Sequence, residues 1–340
     1  MSASLPPWTI LLAFAASAAT TYGLILWLRP VLLRYAMARP NARSSHARPT
    51  PQGGGIAVLA ATLAIMLFAA WRPGTPVATA MQVAVVALAA VLLAIAGAAD
   101  DIRGLPPAPR LVLQIVAVAM VLYALPDDAR AIPALPWWLE RTLLLAAGVW
   151  FVNLVNFMDG LDWMTVAEVV PVTAGLAIAG ALGALPPAGM LAAVALAGAM
   201  IGFAPFNRPV ARLFLGDVGS VPVGLILAWL LFLLAAEGHL AAAILLPLYY
   251  LADATITLGR RLARGEKIWE AHRTHFYQRA TDNGWPVRAI VAHVFAANVG
   301  LIALATATIV QPSAAMDVSA LVLGAALVAW LLRRFTHPRS

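Results

Sequence analysis

The residues best suited to chemistry fall in one stretch, Asn153-Leu-Val-Asn156-Phe-Met-Asp159-Gly-Leu-Asp162. It begins inside an apolar run and ends with an amide and two carboxylates where that run meets water. In a chain that is only 11% charged, such a concentration needs a reason. Aspartate, asparagine and water are the oxygen ligands that magnesium favours, usually one or two side chains with phosphate completing the set. Asn156, Asp159 and Asp162 therefore read as one wall of a metal-dependent phosphoryl-transfer site at a membrane surface.

Four further segments carry groups of the same kind. Asp100 and Asp101 are adjacent at the end of an apolar run. They repel each other there and oppose a helix dipole, so a cation or a proton-transfer task is expected of them. Asp217 sits between Gly216 and Gly219, downstream of Arg208 and Arg212, and the glycines permit close backbone approach. Gly53, Gly54 and Gly55 open another apolar run after a basic segment containing His46. Their backbone N–H groups are expected to be bare and open to an anion. The segment lacks the Gly-Lys-Ser/Thr ending of a P-loop, which excludes a nucleoside-triphosphate motif of that type. Finally, His272 and His275 share a helix face at i, i+3 in the longest polar segment, with Arg279 close behind. Asp253 lies one to two turns inside the preceding apolar run, where a carboxylate is a functional candidate by default.

The elements that must position these groups are membrane helices. Hydrophobic residues make up 62% of 340 positions and the mean hydropathy is +0.87, well beyond a soluble domain. The absence of cysteine excludes disulfides, zinc thiolates, Fe–S clusters and thiol nucleophiles. Apolar runs near the length of a bilayer crossing fall at about 8–28, 54–71, 78–98, 110–126, 139–157, 168–185, 188–205, 221–236, 239–258, 288–310 and 318–333. The expected fold is thus an all-α integral membrane protein of about eleven transmembrane helices, because backbone polar groups in hydrocarbon must pair within their own segment. The first run has no small-residue cleavage site and is read as a retained span.

The net charge of +7 reports orientation rather than nucleic-acid binding. With an external N-terminus and a cytoplasmic C-terminus, all of the 22 basic residues except Arg72, Arg130 and Arg141 face inward, as the positive-inside rule requires. Residues 1–340 then form a single polytopic domain with catalytic cytoplasmic loops near 39–55, 99–110, 153–165, 205–220 and 259–287. The carboxylates Asp100, Asp101, Asp159, Asp162, Asp217 and Asp253 all reach the inner face.

Taken in order, Asn41–Gly55, Asp100-Asp101, Asn153–Asp162, Phe214-Leu-Gly-Asp-Val-Gly-Ser220 and His272-Arg-Thr-His275 resemble the signature loops of the polyprenyl-phosphate N-acetylhexosamine-1-phosphate transferases of glycosyltransferase family 4. The His-Arg-Thr-His-Phe-Tyr-Gln form is most similar to the O-antigen-initiating branch. The resemblance implies that undecaprenyl phosphate attacks the β-phosphate of a UDP-N-acetylhexosamine at the cytoplasmic face of a bacterial inner membrane. UMP leaves, and a lipid-linked polysaccharide such as O-antigen is begun. It also implies Mg²⁺, with Mn²⁺ as a substitute, and allows a homodimer. Asp217 would be the leading metal ligand with Asn156 as partner, and Asp100 with Asp101 would orient or deprotonate the lipid phosphate. Asp159 and Asp162 would line the nucleotide pocket, and His272, His275 and Arg279 would hold the diphosphate or sugar. His46 and the three glycines would contact the lipid phosphate.

Three positions depart from the family pattern. Ala38 replaces an aspartate, Gln52 an arginine and Trp163 a glycine. The rival reading is a secondary transporter of a polar or anionic solute. It predicts repeated halves and a site near the bilayer midplane, and the sequence shows no repeat.

Overall fold

The computed structural model describes residues 6–38, 49–72, 74–126, 128–267 and 272–339. His46, expected to contact phosphate, lies outside them. The elements run α1 (Pro7–Tyr35), β1 (Met37–Ala38), β2 (Thr50–Pro51), α2 (Gly55–Ala70), α3 (Val77–Arg103), α4 (Pro107–Tyr123), α5 (Trp137–Met158), α6 (Met164–Ala181) and α7 (Pro187–Phe203). They continue with α8 (Asp217–Ala236), α9 (Leu240–Leu245), α10 (Leu248–Ala263), α11 (Phe276–Asp282), α12 (Val287–Val310) and α13 (Ala314–Phe335). The chain is an all-α integral membrane protein. Among the described residues, seven helices are long and apolar enough to cross a bilayer, and α2, α4 and α7 are shorter apolar helices.

Proline sets many of the starts. Pro6, Pro76, Pro106, Pro136, Pro186, Pro247 and Pro286 each occupy the position before a helix. There a fixed φ is favourable and a missing N–H costs nothing. Every expected apolar run is helical, and two differences in extent bear on the site. The helix of α3 continues through Asp100 and Asp101 to Gly104, which takes φ 66° as a left-handed cap. The run expected at 239–258 is broken at Pro247 into α9 and α10, so α10 has a helix N-terminus of its own inside the bundle.

Helix α8 is the axis. Its apolar stretch is buried along its whole length, and α2, α3, α4, α5, α6, α7 and α9 all pack on it. By contrast, α1 and α13 expose Leu11, Leu12, Trp27, Val322 and Leu323, the pattern of helices facing lipid. Since α8 opens with Asp217, the most enclosed helix delivers a carboxylate to one end of the bundle.

Candidate active site

Backbone pairing first sets where Asp217 stands. Pro51 accepts from Phe214 N, while Gly54 N and Gly55 N donate to the carbonyls of Phe214 and Leu215, each at 2.9 Å. The N–H groups of Gly54 and Gly55 are therefore committed to the chain itself, which corrects the expectation that they receive an anion. Glycine is required here for closeness. A Cβ on Gly55 would lie 2.1 Å from Gly219 Cα, and one on Gly54 would lie 2.6 Å from the Phe203 ring. Gly53 takes φ 103°, a left-handed conformation suited to glycine. Together these residues bring the starts of α2 and α8 into contact.

The carboxylate of Asp101 then caps α8. Its Oδ1 accepts Asp217 N and its Oδ2 accepts Val218 N, both at 3.1 Å. Gln52 Nε2 donates to the Asp101 carbonyl at 3.0 Å, so the glutamine that replaces an arginine has a defined partner. Asp101 was expected to join Asp100 in handling the lipid phosphate. Both of its oxygens instead hold the helix that presents Asp217.

Asp100 points the other way. Its Oδ1 accepts Leu105 N at 2.6 Å, and its Oδ2 accepts Arg110 Nη1 at 2.5 Å. Asn156 Nδ2 donates to Asp217 Oδ1 at 2.7 Å and to Ser220 Oγ at 2.9 Å, which leaves Asn156 Oδ1 as the ligand-capable atom. Asp100 also lies within hydrogen-bonding reach of Asp217. These groups share a cleft of about 460 Å³ between α3, α4, α5, α8 and α10. Asp100, Arg110, Gln114, Asn153, Asn156 and Asp217 supply its polar part, and apolar side chains such as Leu93, Leu111, Trp150 and Leu258 line the remainder.

Two facing carboxylates and a free amide oxygen suit a divalent cation. Among the described residues no three His, Cys, Asp or Glu side chains gather as a metal site. Magnesium needs no such cage, because one or two carboxylates with substrate phosphates suffice. The donor set therefore fits Mg²⁺ bound jointly with a phosphorylated substrate.

The Asp-Gly-Leu-Asp segment divides its tasks. Asp159 caps the end of α5 and accepts the hydroxyl of Thr165, with Tyr250 and Tyr277 beside it. Asp162 is buried, and its Oδ2 accepts Ala211 N at 2.9 Å. That position corrects the expectation that Asp162 faces a nucleotide, since the carboxylate pins the 205–213 loop. Trp163 adds two more ties to this loop, from its N to Asn207 Oδ1 and from its Nε1 to Ala204 O, both at 2.7 Å. Its φ of 63° accounts for a glycine at this position in the family pattern. A tryptophan there stores strain on the order of 1 kcal/mol, which the two bonds offset.

A second buried cap builds the last part of the site. Asp253 is 0% exposed, and its Oδ1 accepts Phe276 N at 3.0 Å while its Oδ2 accepts Tyr277 N at 3.2 Å. The His275 ring lies 3.2 Å from Asp253 Oδ1 through Nδ1 and is 2% exposed. His275 therefore braces α11 from within, and a direct grip on substrate, as the sequence implied, does not fit its burial. His272 stacks on it with ring centroids 4.8 Å apart. Burial, with His275 and Arg261 nearby, pushes the His272 pKa down to about 4, so the ring is neutral at pH 7. Tyr277 Oη donates to Phe157 O at 3.2 Å, and burial raises its pKa well above that of a free tyrosine. A Cβ on Gly160 would lie 2.2 Å from that hydroxyl, which explains the glycine of this motif.

Arg279, with Arg260, Arg261, Arg264, Thr257 and Thr274, lines a separate cavity of about 200 Å³. Thr257 and Leu258 are consecutive on α10, so this basic cavity and the Asp217 cleft flank one helix. The described parts of all five loop regions thus meet at one end of the bundle. Sequence reasoning missed Arg110, Ser220 and the Gln114–Asn153 pair (Nδ2 to Oε1, 2.7 Å). Arg110 lies in a segment already singled out for Asp100, seven residues beyond Arg103, and that proximity was the available signal.

The architecture and the site define a polytopic helical enzyme-like membrane protein whose polar cleft opens at one end of the bundle. Residues 83–235 match Glycosyl transferase family 4, a segment that contains Asp100, Asp101, Asn156, Asp159, Asp162 and Asp217. The chain is 29% identical to the decaprenyl-phosphate N-acetylglucosaminephosphotransferase of Mycobacterium leprae, with 88% of this chain and 84% of the relative covered. It is 29% identical to the protein of that name from Mycolicibacterium smegmatis (96% and 88% covered) and 28% identical to that from Mycobacterium tuberculosis (86% and 80%). The chain is thus similar to Glycosyl transferase family 4 across residues 83–235, and to these polyprenyl-phosphate transferases along most of its length.

Proposed function

We propose that this protein transfers an N-acetylhexosamine-1-phosphate from a UDP-sugar to undecaprenyl phosphate and so begins a lipid-linked polysaccharide such as O-antigen. The observation that supports it most is the division of the cleft into a carboxylate–amide–arginine end and an apolar remainder. That is the complement of a lipid with a phosphate head. A transporter would place its site near the midplane between repeated halves, and this cleft opens among the loops.

In the reaction, a phosphate oxygen of the lipid attacks the β-phosphorus of the donor. The bond between that phosphorus and the bridging oxygen breaks, and UMP departs with the oxygen and its electron pair. Asp217 and Asn156 Oδ1, with Asp100 beside them, would hold Mg²⁺ or Mn²⁺, which supplies charge neutralisation for the transferred phosphoryl group. Arg110 orients the lipid phosphate, and Asp100 fixes Arg110 through their 2.5 Å pair. No strong base is required, since a phosphate monoester with a second pKa of about 6 is already mostly ionised at pH 7. Arg279 and the basic cavity on the other side of α10 receive the diphosphate of the donor. His272, neutral, serves as a hydrogen-bonding group.

The proposed setting is a bacterial inner membrane with the site on the cytoplasmic face, which follows from the distribution of basic residues. Purified protein in detergent, given Mg²⁺, a polyprenyl phosphate and a panel of UDP-N-acetylhexosamines, should release UMP from one donor and stop on addition of EDTA. Parallel reactions with decaprenyl and undecaprenyl phosphate identify the acceptor. A folded protein that releases no UMP from any donor contradicts the proposal. Labelling of Thr274→Cys from outside intact cells contradicts the orientation.

A further inference from the structure

Away from the cleft, a carboxylate lies in the interior of the bundle with no use in the reaction above. Glu168 of α6 is 1% exposed, as is Asn298 of α12 opposite it. Their meeting follows from Pro171. Proline has no N–H to give to the residue four positions back, so the Ala167 carbonyl loses its helical donor. Asn298 Nδ2 supplies the missing bond at 3.0 Å, and the same nitrogen donates to Glu168 Oε2 at 2.7 Å. The Tyr250 backbone N–H, in the first turn of α10 after the Pro247 break, also faces this carboxylate. One side chain thus ties together α6, α10 and α12.

The accounting is incomplete on one side. Glu168 Oε1 and Asn298 Oδ1 are buried and have no hydrogen-bond partner, and the Tyr250 side chain lies close by. Glu168 and Asn298 have each used one corner of an acid–amide pair, and the two corners that remain are both oxygen acceptors. Two such oxygens repel unless something positive lies between them. Among the described residues no lysine, arginine or histidine pairs with Glu168. A carboxylate in a membrane interior without such a partner is costly.

We propose that the Pro171 break holds a monovalent cation, a proton or a sodium ion, between Glu168 Oε1 and Asn298 Oδ1. A proton on Oε1 closes the acid–amide ring, and a sodium ion takes the same two oxygens with Tyr250 Oη as a third. The titratable groups facing Glu168 are Tyr249 and Tyr250 of α10. Of the helices packed on α6, α7 has no ionisable residue and α8 has only Asp217, at its first position. On α12 only Arg288 and His293 are ionisable, both in the first two turns, and on α5 only Glu140 and Arg141, in its first turn and a half. Binding of the cation fixes the start of α10, which carries Asp253 and through it α11.

The test uses the full-length protein in detergent, with thermal unfolding of wild type and Glu168→Gln followed from pH 6 to 9 in choline chloride and in NaCl of equal ionic strength. If the cation is a proton, folding retains a proton that an unfolded glutamate releases, so the wild-type Tm falls as pH rises. Glu168→Gln stays flat, and a protonated-acid C=O infrared band seen in wild type is missing from it. If the cation is sodium, NaCl raises the wild-type Tm over choline, most at high pH, and the variant does not respond. Identical responses of both proteins to pH and sodium, without the band, overturn the proposal. Should Glu168→Gln fail to fold, Asn298→Val replaces it. The band must then shift, or sodium affinity fall by at least about tenfold, and neither change overturns the proposal.

Discussion

The carboxylate of Asp101 accepts the backbone N–H of Asp217 at 3.1 Å, so one acid of the Asp100-Asp101 pair serves as the mount for the other loop's acid. Adjacent residues on one helix thereby take separate tasks, with Asp100 turned to Arg110 in the cleft and Asp101 to the start of α8. Substitution should separate them. Asp101→Asn weakens a helix cap worth about 1 kcal/mol and should lower Tm by about 2–4 °C while leaving measurable turnover. Asp100→Asn should leave Tm nearly unchanged and reduce turnover far more. Equal losses of activity, with equal Tm, would contradict this division.

Gly160 and Tyr277 should behave as a pair. A methyl at 160 falls 2.2 Å from Tyr277 Oη, and overpacking of this kind costs about 1–3 kcal/mol. Gly160→Ala should lose both stability and activity. Adding Tyr277→Phe removes the clashing oxygen, and the double variant should recover stability by a double-mutant cycle.

Asp253 should matter more to folding than to chemistry. Its removal leaves two buried N–H groups at the start of α11 unpaired, at about 1–3 kcal/mol each. Asp253→Ala should lower Tm strongly and expose the chain near α11 to limited proteolysis. Unchanged proteolysis and Tm would show that α11 needs no such cap.

The His272 pKa of about 4 sets a pH dependence. The unfolded ring protonates near pH 6.5 while the folded ring stays neutral, so the unfolded chain binds more protons between those values. The stability this neutral ring contributes is therefore present above pH 6.5 and lost as pH falls towards 4. His272→Gln should flatten that part of the Tm–pH curve. A curve as steep as that of wild type would contradict the neutral ring.

Much of this was legible before any coordinates. Apolar length located the long helices, with α9 and α10 read as one run and the short polar α11 missed, and prolines marked seven of the starts. The association of Asp100, Asn156 and Asp217 followed from their shared position at helix ends on one side. What sequence did not reveal was the division of labour within motifs. Asp100 and Asp101 read alike in one dimension, as do Asp159 and Asp162. Only the approach of a second segment, α8 in one case and the 205–213 loop in the other, decides which carboxylate is consumed by backbone N–H groups. The three glycines misled for a related reason. Glycine serves anion binding and close helix approach equally well, and the contact with Gly219 depends on a residue more than 160 positions away. Arg110 was hidden because a basic residue near a helix start already had a sufficient explanation in membrane orientation.

The central claim is that Asp217, set by Asp101 and Asn156, carries the metal-dependent transfer. UMP release by wild type and Asp217→Asn, titrated with Mg²⁺ after both are shown to melt at the same temperature, tests it most directly. The account predicts Mg²⁺-dependent release by wild type and a loss of at least about a thousandfold in the variant at every Mg²⁺ concentration, the scale at which removing a charge-stabilising group acts. Near-normal release by Asp217→Asn at saturating Mg²⁺ would contradict it.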